Sequence, residues 1–172
     1  MFYGLFADNL SVHYQSISVI LIGGYPYLST FNITNMEPEL IKDGDLTLAM
    51  IARAGDFKAG LNFYSQDQDF IQVGTWHYQK GQILKAHNHL LAARYVNRTQ
   101  EVIYLKSGSL RADFYGENND QLIKSVEVNA GDFIICLAGG HGYEILADNT
   151  QVLEVKNGPY LGTAKDKRLI VR

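Results

Sequence analysis

Apolar residues recur along this chain in short runs and not at helical spacing. Leu46-Thr-Leu-Ala-Met-Ile-Ala52 is one run, and Phe70-Ile-Gln-Val-Gly-Thr-Trp-His-Tyr78 is another. Further runs cover Gln82 to His89, Glu101 to Leu105, Leu110 to Tyr115, Leu122 to Val128, Phe133 to Leu137, Tyr143 to Leu146 and Gln151 to Lys156. No stretch carries three clean turns of an amphipathic helix. Turn formers separate the runs: Lys80-Gly81, Ser107-Gly108, Gly116-Glu-Asn-Asn-Asp120, Asn129-Ala-Gly131, Asp148-Asn149 and Asn157-Gly-Pro159. Short strands at about ten-residue spacing, without an internal repeat, predict a single all-β sandwich or barrel.

Charge divides the chain unevenly. From Met1 to Met36 the only charged side chain is Asp8, and from Glu37 onward the density is ordinary. Residues 1–36 read either as an apolar N-terminal extension that packs on the barrel or on a partner subunit, or as the product of a mis-assigned start. The second reading is favoured, because Met36-Glu-Pro-Glu-Leu-Ile-Lys-Asp-Gly44 opens like a folded domain, which would then run over 37–172. The longest apolar run, Ile17 to Leu28, contains two glycines and a proline and falls short of the roughly 20 apolar residues of a membrane-spanning helix. It also lacks the basic start and cleavage site of a secretory signal, so the expectation is a cytoplasmic protein with no membrane partner.

Composition narrows the function classes. The 172 residues are 47% hydrophobic and 19% charged, which excludes a disordered or coiled-coil chain. The net charge is -3 with no basic stripe, so no nucleic-acid partner is expected. A lone cysteine, Cys136, excludes an internal disulfide and a multi-cysteine zinc cluster. It leaves a histidine-based metal site open. No basic residue flanks Cys136, which reads as a packing residue and not as a nucleophile.

Chemistry concentrates in two segments. In Gly81-Gln-Ile-Leu-Lys-Ala-His87-Asn-His89, strand parity puts both imidazoles on one face, with Cα atoms about 7 Å apart and able to reach one ion about 2.1 Å from each nitrogen. Two surface histidines on an edge strand are the plain alternative. Glu101-Val-Ile-Tyr-Leu-Lys-Ser-Gly108 follows, then Gly131-Asp-Phe-Ile-Ile-Cys-Leu-Ala-Gly-Gly-His141. In this order and bracketing the set resembles the cupin superfamily over roughly residues 46 to 156. Gly81, His87, His89, Glu101 and Gly108 match its first motif, and Gly131, Gly139 and His141 its second. Three features depart from it. Eleven residues separate His89 from Glu101 where the family has three or four, Leu137 stands where proline is usual, and the turn before His141 is one residue short.

The resemblance implies a double-stranded β-helix, the cupin jelly-roll barrel, holding one divalent transition metal ion (Fe, Mn, Zn, Ni or Co) on His87, His89, Glu101 and His141. The Glu-Val-Lys-Asn-Gly-Pro-Tyr160 stretch, with the glycines around His141, looks like small cupins associated with surface-polysaccharide synthesis. That likeness implies a sugar or nucleotide-sugar ligand and isomerase- or epimerase-like chemistry. A mononuclear iron dioxygenase and a non-catalytic small-molecule binder are the alternatives. Glu154 and His77 are the candidate proton carriers. Tyr143, Lys85, Arg94 and Lys156 are the candidate substrate contacts, against the default of a packed histidine and solvated surface charges. Small cupins commonly pair through sheet edges, so a homodimer is expected.

Overall fold

The structure, a computed structural model, describes residues 16–22, 25–31 and 37–171. The chain divides into two units, Met1–Met36 and Glu37–Arg172. In the first, β1 (Ser16–Ile22) pairs antiparallel with β2 (Tyr25–Phe31), in a register running from Ser16 opposite Phe31 to Ile22 opposite Tyr25. The remaining expectations about residues 1–36 lie outside the described residues.

The second unit is built from antiparallel sheets. Its strands are β3 (Glu39–Asp43), β4 (Leu46–Ala52), β5 (Gly60–Phe63), β6 (Gly74–His77), β7 (Glu101–Ser107), β8 (Ser109–Tyr115), β9 (Leu122–Asn129), β10 (Phe133–Cys136), β11 (Gly140–Ile145) and β12 (Gln151–Lys156), followed by a one-turn helix, α1 (Thr163–Asp166). Five strands form one sheet in the order β12-β7-β10-β4-β3, and three form another in the order β11-β8-β9. A separate hairpin joins β5 to β6. Among the described residues, no helix is long and apolar enough to cross a membrane.

Strand alternation explains how the two larger sheets meet. Ile41, Ala49, Ile51, Ile103, Leu105 and Ile134 of the five-stranded sheet share one buried cluster with Leu110, Ala112, Phe114, Val126 and Val128 of the three-stranded sheet. Each lies two residues along its strand from the next, so one face of each sheet is committed to the common core. The opposite face of the five-stranded sheet is also covered. Met50, Ala52, Phe133, Ile135 and Leu137 form a second cluster against Tyr64 and Val73. Burial on both faces is why Phe133–Leu137 reads as a continuous apolar run.

The turns are fixed by specific chemistry. Gly108 joins β7 to β8 at φ 80°, and a Cβ there would meet the Oγ1 of Thr150 at 2.2 Å, so only glycine fits. Asp132 ties the β9–β10 turn to the end of β4: its carboxylate accepts from the amides of Ala54 (2.9 Å) and Asn129 (3.1 Å) and from Arg53 Nη1 (2.9 Å).

Seven of the nine expected runs hold strands close to the expected bounds or inside them. The run over 70–78 contains only the short β6. The strand expected over Gln82 to His89 is absent, and residues 78–100 contain no strand at all. Alternation puts Ile83, Lys85, His87 and His89 on one side and Gln82, Leu84, Ala86 and Asn88 on the other, so neither side is apolar enough to drive burial. Residues 79–94 make local hydrogen bonds, such as Gln82 N to Gln79 O at 3.2 Å and His87 Nδ1 with Lys85 O at 3.1 Å. Ile83, Leu90, Leu91 and Tyr95 are exposed, and a structureless segment this long is itself uncommon in a compact domain.

Candidate functional site

The polar site grows out of the sheet register. In the five-stranded sheet Glu101 opens β7, lies opposite Cys136 on β10 and opposite Lys156 on β12. Directly opposed residues share a face, so Lys156, Glu101 and Cys136 form a row across three strands. That face is the core face, since Ile103 and Leu105 follow Glu101 at alternate positions in the buried cluster. From the other sheet, His141 lies opposite Phe114 and Tyr143 opposite Ala112, again on the core side. At this end the two sheets present polar groups to one another where apolar ones fill the rest.

The groups engage closely. His141 Nε2 is 3.3 Å from Glu101 Oε2, and Lys156 Nζ is 3.0 Å from Glu101 Oε1 and 2.7 Å from Glu154 Oε1. Cys136 Sγ and Tyr143 Oη are 3.6 Å apart, and the rings of His141 and Tyr143 lie 5.4 Å apart. Just before β7, the buried Gln100 accepts from the amides of Phe70 (2.8 Å) and Ile71 (3.1 Å), and its own amide donates to Asn157 Oδ1 (2.8 Å). Gln100 therefore fixes where Glu101 enters the sheet.

Charge states follow from these contacts. Burial would push the Glu101 carboxyl up, but hydrogen bonding to His141 and to Lys156 outweighs it and holds the group below its ordinary range. Burial would likewise keep His141 neutral, but its hydrogen bonds to Cys136 and Glu101 prevail and raise it to about 10. The Glu154 carboxylate, with Glu101, raises Lys156 despite burial. Burial, with the negative groups around it, raises the Tyr143 phenol. At neutral pH the floor thus holds two cations, His141 and Lys156, a carboxylate on Glu101 and a phenol that keeps its proton.

These residues line an open cleft of about 1070 Å³, whose walls include Arg98, Tyr115, Glu154 and the chain after Lys156. Arg98 pairs with Glu117 at the rim.

The structure thus brings Glu101, His141, Tyr143, Glu154 and Lys156 together. It places the other expected site residues elsewhere. His87 and His89 stand side by side, with ring centroids 5.1 Å apart, in the exposed segment before β7. Lys85 and Arg94 are exposed in the same segment, with Arg94 Nη1 3.4 Å from the carbonyl of Ala92. His77 ends β6 with Nδ1 3.3 Å from the Phe57 carbonyl, outside the cleft lining. Among the described residues, no three His, Cys, Asp or Glu side chains gather closely enough to hold a metal ion. The four expected ligands stand as two separate pairs. Glu101 and His141 converge as donors of the right chemistry, and His87 and His89 form their own couple.

Cys136 is buried as a packing residue, yet it also lines the cleft beside Tyr143. Its parity with Ile134 carries that signal in the sequence, but Glu101 reaches it through cross-strand pairing and Tyr143 through the packing of the second sheet, neither of which the local pattern specifies. No protein-family model, curated protein or solved structure matches this chain.

Proposed function

We propose that this chain is a small, cytoplasmic, metal-binding cupin whose cleft takes a sugar or nucleotide-sugar intermediate of surface-polysaccharide synthesis, with isomerase- or epimerase-like chemistry. One observation carries the reading: Glu101 and His141, forty residues apart in sequence, meet at 3.3 Å between the core faces of two sheets. The winding supports it, since the chain crosses between the sheets from β7 to β8, from β9 to β10, from β10 to β11 and from β11 to β12, as a double-stranded β-helix would. So do the free edges. β11 and β12, the strands bearing His141 and Lys156, are both terminal in their sheets. The unpaired segment over 82–89 can supply a strand to such an edge, and it carries His87 and His89.

In this reading His87, His89, Glu101 and His141 hold one divalent ion, and ordering of the segment is coupled to its binding. Lys156 then leaves Glu101 and stays with Glu154. The ion would polarise a substrate carbonyl. The chain's own groups do the rest: Tyr143 and Lys156 donate hydrogen bonds to substrate hydroxyls, and Glu154 accepts a proton at its carboxylate. The two subunits of a homodimer would pair through sheet edges.

A second reading is a metal-free, non-catalytic binder, and it is favoured by Lys156, which already satisfies Glu101 as a cation. Metal analysis of protein purified without chelator tests the choice. About one equivalent of ion is expected, falling strongly in His87→Ala, His89→Ala and His141→Ala. Metal-free protein that still gains thermal stability with sugars would support the second reading. Equal metal content in all three variants would end the first.

A further inference from the structure

We propose that the chain after β12 is a hinged strap that closes the cleft, with Ile170 as its latch. Residues 157–171 run along the mouth, and Leu161, Lys165, Lys167, Arg168 and Ile170 form one wall of the cleft. The latch sits beside the site. Gly140 immediately precedes His141, and a Cβ built on it would lie 2.5 Å from Ile170 Cδ1. The missing side chain at Gly140 is therefore the seat that Ile170 occupies.

The strap is pinned at its base, where Asn157 Oδ1 accepts from the Gln100 backbone amide (2.8 Å) and Asn157 Nδ2 donates to the Arg98 carbonyl (3.1 Å), and beyond that hinge its other anchors are few. Arg168 forks onto Asp120, with Nη1 2.6 Å from Oδ2 and Nη2 2.7 Å from Oδ1. Thr99 Oγ1 donates to Asp166 Oδ1 at 3.1 Å. The helix α1 buries none of its residues, and Tyr160, Leu161, Leu169 and Val171 are exposed. Beyond Asn157 the segment has one apolar anchor, one exposed ion pair and one side-chain hydrogen bond to Thr99, which puts it at the low end of local stability, so it opens well before the sheets unfold. Its opening widens the path to Glu101, His141 and Cys136 without breaking a strand pair. The strap would thereby set when a ligand enters and leaves, in the manner of other lids.

The chain contains a single thiol, and it lines this cleft, so it reports the opening directly. The experiment is alkylation of Cys136 by a small maleimide in the metal-free, full-length protein at fixed pH. It uses neither ion nor sugar, so its outcome is independent of the metal reading. When opening is fast, the rate follows the open population. Asp120→Asn should raise the rate about threefold, the scale of one exposed ion pair. Ile170→Ala should raise it about tenfold, from the loss of the half-buried side chain's apolar contact at Gly140. Salt at 1 M should accelerate the wild type and leave Asp120→Asn nearly unchanged. Lys58→Ala breaks a comparable exposed pair with Glu37, outside the cleft lining, and should leave the rate alone. Wild-type rates in both strap variants would overturn the proposal. So would a rate that rises with urea only in step with global unfolding.

Discussion

Glu101 illustrates how much one residue's surroundings decide. It is buried at 8% exposure, yet it stays ionised because an imidazole and an ammonium each take one of its oxygens. That pairing gives a pH dependence with a definite sign. His141 rises from 6.5 to about 10, so its contribution to stability is complete below 6.5 and is lost as pH climbs through 10. Glu101 is lowered from 4.5, so its contribution is complete above 4.5 and fades as pH falls through the depressed value. The pair is therefore strongest between 4.5 and 6.5. Chelator-treated protein should melt at progressively lower temperature from pH 7 to pH 10. His141→Gln should flatten that decline, and a variant that keeps the wild-type slope would contradict the assignment.

Among the elements, the β7–β8 connection is tightly constrained. Gly108 combines a left-handed φ of 80° with contact on Thr150, so Gly108→Ala suffers both backbone strain and a clash. A loss of about 1–3 kcal/mol is expected in urea unfolding, the usual cost of a strained backbone residue. Gly44→Ala shares the left-handed φ, at 58°, but meets nothing within 4 Å, so it should lose less. Equal losses would mean that the Thr150 contact does not matter. The stretch over 82–89 shows the opposite case. Its alternating pattern reads as a strand, but a strand is stable only when an edge accepts it, and no local signal names that edge.

For the whole molecule, the proposed homodimer would use the terminal strands β11 and β12 and the exposed apolar side chains Leu153 and Val155 on the latter. Light scattering at micromolar concentration should give twice the 19.3 kDa chain mass. A monomeric mass would remove the dimer from the account.

Most of the strands were legible in the sequence because alternation and turn chemistry are local: Leu46–Ala52, Glu101–Ser107, Phe133–Cys136 and Gln151–Lys156 need only their own residues and flanking glycines to declare themselves. The bracketing of histidines and a carboxylate by glycines singled out Glu101 and His141 along with His87 and His89, of which only the first two meet in the cleft, and parity put Glu154 and Lys156 on one face. What the chain alone left undecided was which strands become neighbours. Cys136 joined the cleft, and the strap over 157–171 came to wall it, only through cross-strand register and the packing of two sheets. His87 and His89 show the limit from the other side, since their spacing is local but the edge that would hold them is not. Periodicity and turn residues act over a few positions. Register between distant strands is fixed by the burial of a shared core, which exists only once the chain has folded.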